Sequence, residues 1–151
     1  MIRIKRVVAI SAKVIMEFDE HSKAEWKTHK AVRHQLYQHS KAIWVLYIGS
    51  KPLCVIGLIE LSLLGSGCEI YFFLCHAAKK HLRTLINFLR RAFHRCLKLY
   101  HAITVSIDVK HKAGERFVRF FGFRENPGEI KLGNITCKHF ELRSSWLLRA
   151  H

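Results

Sequence analysis

At 151 residues, 50% of them hydrophobic, the chain is long enough to bury a core without disulfides or metal and too apolar to be a disordered tail. Its 26 Lys and Arg stand against 11 Asp and Glu, a net charge of +15, and 11 His add to it in acid. Such a surface suits nucleic acid, anionic membrane, phosphate-bearing cofactors or acidic proteins, and decides nothing about fold.

The chain opens with a strand expected over residues 2 to 10, basic and then apolar and too short for a secretory h-region. Ser11 is placed to cap a short helix carrying Val14, Ile15 and Phe18 on one side. Ser22-Lys23-Ala24-Glu25 fits a capping box, so a second helix is expected from there to about Gln38, burying Trp26, Ala31, Val32 and Leu36. Ile43–Ile48 and Leu53–Leu61 are apolar runs joined by Gly49-Ser50-Lys51-Pro52, which is the pattern of a β-hairpin. The apolar stretch from Pro52 to Gly65 carries Glu60 and is too short to span a bilayer. After a turn at Gly65-Ser66-Gly67, Cys68 to Cys75 reads as a central strand covered on both faces.

Leu82, Leu85, Ile86, Leu89, Phe93, Cys96, Leu97 and Tyr100 recur at steps of three and four, which predicts a long helix. Its other face holds Lys80, Arg83, Asn87, Arg90, Arg91, His94, Arg95 and Lys98. A strand at Ala102–Val109, a short helix at Gly114–Phe121 ended by Gly122, and strands near Glu129–Leu132 and Ile135–Leu142 complete the chain. The order β, α, α, β, β, β, α, β, α, β, β is that of one α/β domain with a mixed sheet, spanning residues 1–151. Five cysteines (Cys54, Cys68, Cys75, Cys96 and Cys137), with no CxxC among them, read as reduced, buried thiols and favour a cytoplasmic setting.

This element order resembles the GNAT superfamily of acyl-CoA N-acyltransferases, over roughly residues 40 to 142. The most telling piece is Val105 to Phe123, where Gly114, Phe117, Gly122 and Phe123 fall at positions matching the family's strand, turn and Gly-Phe-ended helix. The Ile43-Trp44-Val45 strand and the Arg116-to-Phe123 helix most resemble small GNAT-like proteins of short-tailed phages, some of them called internal virion proteins. The resemblance implies a GNAT-like mixed sheet of about six or seven strands flanked by about four helices. It implies acetyl-CoA or another acyl-CoA as cofactor and an amine acceptor; no metal is expected, since zinc-ligand spacings are absent.

By that resemblance, acyl-CoA would lie where the strand Cys68–Cys75 diverges from the strand Ala102–Val109. Amides near Leu74, Cys75 and His76 would polarise the thioester, and Glu60 or Glu69 would serve as base. Lys79, Lys80, His81 and Arg83 crowd the start of the long helix, where cations oppose the helix dipole at about 0.3–1 kcal/mol each, a conflict that a bound pyrophosphate would remove. The chain departs from the family pattern at three places. The stretch His76 to Arg83 has no glycine for a pyrophosphate loop; Val118 stands where the family's Tyr protonates the thiolate; and His111 replaces an Asn. Leaving-group protonation would then fall to His111 or water.

Other readings compete. Glu60 and Glu69 could be strand-edge residues facing water. Cys75-His76 suggests a nucleophile–base pair, but neighbours on a strand point to opposite faces, which favours a packing cysteine. His29, His34 and His39 are five apart and do not share a helix face, so a zinc site is not expected. The departures and the charge support an alternative: a non-catalytic GNAT-fold protein, phage-derived, contacting virion proteins or nonspecific nucleic acid.

Overall fold

The structure is a computed structural model that describes residues 1–28, 33–61, 67–132 and 135–148. Strand β1 (Ile2–Val7) pairs antiparallel with β2 (Ala42–Ile48), which pairs antiparallel with β3 (Lys51–Glu60). Ile48 faces Lys51, so the hairpin turn is Gly49-Ser50 alone, two residues shorter than the sequence suggests. Gly49 sits at φ +59, a conformation that glycine adopts without a Cβ penalty. Strand β4 (Gly67–Leu74) follows, then a 3₁₀ segment (His76–His81) that runs into a long helix. The strands form one seven-stranded sheet, ordered β1-β2-β3-β4-β5-β7-β6, with β5 at Ala102–Asp108, β6 at Arg124–Leu132 and β7 at Ile135–Arg143. β4 and β5 are parallel, and the β5–β7 and β6–β7 pairs are antiparallel.

The chain divides into two compact units, Met1–Glu60 with Tyr71–Arg91, and Leu61–Ile70 with Ala92–His151. The first contains helices α1 (Ala12–Ile15), α2 (Glu20–Thr28) and α3 (Arg33–His39). As expected, Ser11 caps α1, its Oγ accepting from the Val14 amide at 3.3 Å. The capping box at Ser22 is corrected. Asp19 caps α2, its Oδ1 accepting from the Ser22 amide at 2.8 Å, so the cap lies three residues earlier and Ser22 lies inside the helix. The expected helix to Gln38 is divided between α2 and α3; Ala31 and Val32 lie outside the described residues. Ile10, Val14, Phe18, Trp26, Ile43, Val45, Val55, Phe73 and Cys75 form the core of this unit.

Helix α4 (Leu82–Leu99) carries the expected periodicity, with Leu85, Leu89 and Leu97 buried. Leu82, expected on the same stripe, is 44% exposed because it is the first residue after the 3₁₀ segment, where the helical stripe has only begun. The exposed face carries Arg83, Asn87, Arg90, Arg91, His94, Arg95 and Lys98, and the helix has no acidic residue. In the second unit, α5 (Lys112–Phe120) ends at Gly122, whose φ of +94 breaks the helix, and Phe123 then returns to the core. Phe93 meets Phe121 and Phe123 edge-on, with centroids 5.1 and 5.6 Å apart. A short helix, α6 (Ser144–Leu148), was not legible in the sequence.

Candidate active site

Strand alternation builds a polar patch in the second unit. Along β5, Ile103, Val105 and Ile107 are buried, so Thr104, Ser106 and Asp108 share the opposite face. Register places His139 of β7 directly across from Ser106. On the other side, β4 pairs with β5 through Gly67↔Ala102, Cys68↔Ile103 and Glu69↔Thr104, and the ladder ends there. Glu69 thus stands at the last rung. Ser106 Oγ donates to Glu69 Oε1 at 3.3 Å and lies 3.1 Å from His139 Nε2. Of these three, sequence reasoning singled out Glu69 alone. Alternation marks Ser106 and His139 as facing away from the core, but only register shows that they meet.

The far end of β4 belongs to the first unit. The Cys75 amide donates to the Leu53 carbonyl of β3 at 2.9 Å. Alternation then turns the main-chain groups of Leu74 to the edge away from β3. That edge is taken by the segment Glu17–Ser22. The Leu74 amide donates to Ser22 Oγ at 3.0 Å, the Asp19 amide donates to the Leu74 carbonyl at 2.8 Å, and the His76 amide donates to the Glu17 carbonyl at 2.9 Å. Phe18 and Cys75 form an isolated antiparallel bridge in the middle of this strap. The amides expected to polarise a thioester at Leu74, Cys75 and His76 therefore all have acceptors already. Ser22 is 5% exposed, and Ser22→Ala is expected to cost about 1–3 kcal/mol by leaving the Leu74 N–H without its acceptor. Urea unfolding, together with faster hydrogen exchange at the Leu74 amide, would check this.

The stretch after β4 closes into 3₁₀ turns, so its inner amides bond to carbonyls three residues back and form no open cradle. Lys79, Lys80 and Arg83 are exposed and His81 is half-buried, leaving side chains rather than backbone to meet an anion. Cys75 is buried, and burial, with Asp19 and Glu17 nearby, pushes its thiol up to about 12, so it is not a nucleophile at neutral pH. Glu60, at the end of β3, is held in an ion pair by Lys41. His111 is the N-cap residue of α5 without a side-chain capping bond. Its ring lies so close over Gly114 that a Cβ there would overlap the imidazole, which explains the small residue three positions on. Val118 is 2% exposed and offers no proton. Among the described residues no group of three or more His, Cys, Asp or Glu could hold a metal ion, and no helix is long and apolar enough to cross a membrane.

No protein-family model and no curated protein matches the sequence. Solved structures do match the fold. The spermidine/spermine N-acetyltransferase SpeG from Vibrio cholerae, in complex with manganese ions, superposes with a TM-score of 0.63 at 16% identity, covering 99% of this chain and 97% of that one. A protein assigned as a phosphinothricin N-acetyltransferase gives 0.65 at 11% identity, over 95% and 98% of the two chains. One assigned as a GNAT-family acetyltransferase from Desulfovibrio desulfuricans gives 0.67 at 11% identity, over 95% and 99%. The likeness establishes a GNAT-like fold, in accord with the order of elements in the sequence.

Proposed function

We propose that this protein is a GNAT-type N-acyltransferase that moves an acyl group, acetyl in the simplest case, from acyl-CoA to an amine. The observation that carries the reading is the short parallel ladder, which stops at Glu69↔Thr104 with a carboxylate at its last rung. Further along β4 the main-chain groups of Leu74 are already taken by Glu17–Ser22, so what the end of the ladder offers a ligand is the carboxylate. That carboxylate can take a proton from an amine.

Acyl-CoA supplies the activated acyl group. Lys79, Lys80, His81 and Arg83 are suited by charge to its phosphates and would hold them through side chains. The 3₁₀ backbone does not add the amide cradle of a glycine loop. Glu69 removes a proton from the acceptor, and the thiolate takes one from His111 or from water, since Val118 has none to give.

Calorimetric titration with acetyl-CoA and with CoA is expected to show micromolar binding, near −8 kcal/mol. Joint replacement of Lys79, Lys80 and Arg83 by Ala is expected to weaken it at least tenfold. The absence of both heat and thermal shift in the wild-type protein would remove the reading.

A further inference from the structure

We propose that Glu69, Ser106 and His139 act as one unit, in which Oε2 of Glu69 receives the primary ammonium group of the acceptor while Ser106 and His139 are positioning residues that hold the carboxylate. The assignment rests on the acyltransferase reading, which already makes Glu69 the proton acceptor, and deepens it by naming the residues that hold the carboxylate and the primary amine as acceptor.

Proton counting fixes the direction of the chain. A serine hydroxyl has one hydrogen, and a carboxylate only accepts. Ser106 spends its hydrogen on Glu69 Oε1, at 3.3 Å. The 3.1 Å contact with His139 must then have the ring as donor. This assigns His139 the tautomer with its proton on Nε2, and the order is then His139 Nε2–H to Ser106 Oγ–H to Glu69 Oε1. Because Ser106 and His139 are cross-strand partners, both ends of this contact are fixed by the β5–β7 ladder rather than by a loop.

Glu69 differs from the ion-paired carboxylates of its unit, a trait it shares with Asp108 and Glu129 among the described residues, and differs from those two in its bond to Ser106. In a chain of net charge +15, carboxylates attract lysine and arginine. In the same unit, Glu115 meets Lys112, Arg119 and Lys138; Glu125 meets Arg119 and Lys138; and Glu141 accepts from Arg143 Nε at 2.8 Å. Asp108 accepts from the Lys110 amide at 2.9 Å. Glu60, in the other unit, is held by Lys41. Glu69 is half-buried and has a hydroxyl on Oε1 but no cation among the described residues. The missing cation is supplied by the acceptor.

The step balances as follows. The ammonium gives one proton to Glu69 Oε2. The freed nitrogen lone pair forms the C–N bond at the thioester carbonyl carbon. The C–S bond breaks with its electron pair on sulfur, and the second proton lost by nitrogen ends on the thiolate.

The test uses 1,4-diaminobutane as acceptor probe and acetyl-CoA as donor, with the full chain. In the wild-type protein the diamine is expected to move the ¹⁵N resonance of His139 Nε2 at fixed pH, and Glu69→Gln is expected to abolish that movement. Ser106→Ala and His139→Phe are expected to lower kcat by about tenfold to a hundredfold without raising KM for acetyl-CoA, the cost of misplacing a catalytic group. Ser106→Thr and His139→Gln each keep a donor and are expected to recover part of the loss, which a merely structural role would not predict. Full kcat in Ser106→Ala and His139→Phe, or a diamine response that persists in Glu69→Gln, overturns the assignment. Absence of acetyl-CoA binding in the wild-type calorimetry marks failure of the acyltransferase reading instead. Binding of acetyl-CoA without turnover of the diamine overturns the acceptor class.

Discussion

Phe18→Ala is expected to lower the unfolding free energy by about 3–5 kcal/mol, as for other fully buried aromatic truncations. Phe18 is 0% exposed. Its ring stacks on Phe73 with centroids 5.2 Å apart and meets Trp26 edge-on at 6.2 Å. Removing it opens a cavity in the centre of the first unit's core, where neighbours held by backbone hydrogen bonds relax only partly. Phe18 also lies in the middle of the strap on β4, between the Glu17 carbonyl and the Asp19 amide that hold His76 and Leu74. A domain stable by about 5–15 kcal/mol loses a large share of its margin through one such change. Urea unfolding followed by tryptophan fluorescence would measure the loss, and Phe18→Leu, which leaves a smaller cavity, is expected to lose less. A Phe18→Ala protein within 1 kcal/mol of wild type, a loss far below the usual range, would show that the strap and the ring it carries are not part of the stable core.

Glu69→Gln is expected to lower kcat for acetyl transfer by about 10²–10⁴-fold with little change in KM for acetyl-CoA, the usual contribution of a positioned base. The amide has the shape of the carboxylate and can still accept from Ser106, so the fold keeps the contact while the proton acceptor is lost. Glu60→Gln separates the two carboxylates considered from the sequence. Glu60 is exposed and its ion pair with Lys41 contributes about 0–1 kcal/mol, so the smaller loss is expected there. Steady-state release of free thiol from acetyl-CoA reads both variants. A larger loss in Glu60→Gln than in Glu69→Gln would move the base to the end of β3.

The residues that decide the site were unevenly visible in the sequence. Glu69 stood out as a carboxylate in an otherwise apolar run. Ser106 and His139 did not, because a serine and a histidine on alternating strands are ordinary surface residues until register brings them together. The charge of Lys79, Lys80, His81 and Arg83 was plain, but the 3₁₀ turns that close their backbone were not. Nor was the occupation of the Leu74, Cys75 and His76 amides, whose partners are Ser22, Leu53 and Glu17. Ser22 shows why local rules failed there. Both Asp19 and Ser22 are acceptable caps, and the choice falls to Asp19 because the Ser22 hydroxyl is needed at the edge of β4.

By itself the sequence determined the number and order of the strands, though not the end of β1 at Val7 or the start of β6 at Arg124, together with the stripe of α4, the Ser11 cap, the two-strand hairpin and the glycine stop after α5. Each depends on contacts within a few residues, where the 3.6- and 2-residue periods and positive-φ glycines act. The tertiary structure alone decided which carboxylate is supported and which amides are taken. Ser106 meets His139 across 33 residues of chain, and Leu74 meets Ser22 across 52. Pairings at that separation are fixed by sheet register and core packing, and no local period encodes them.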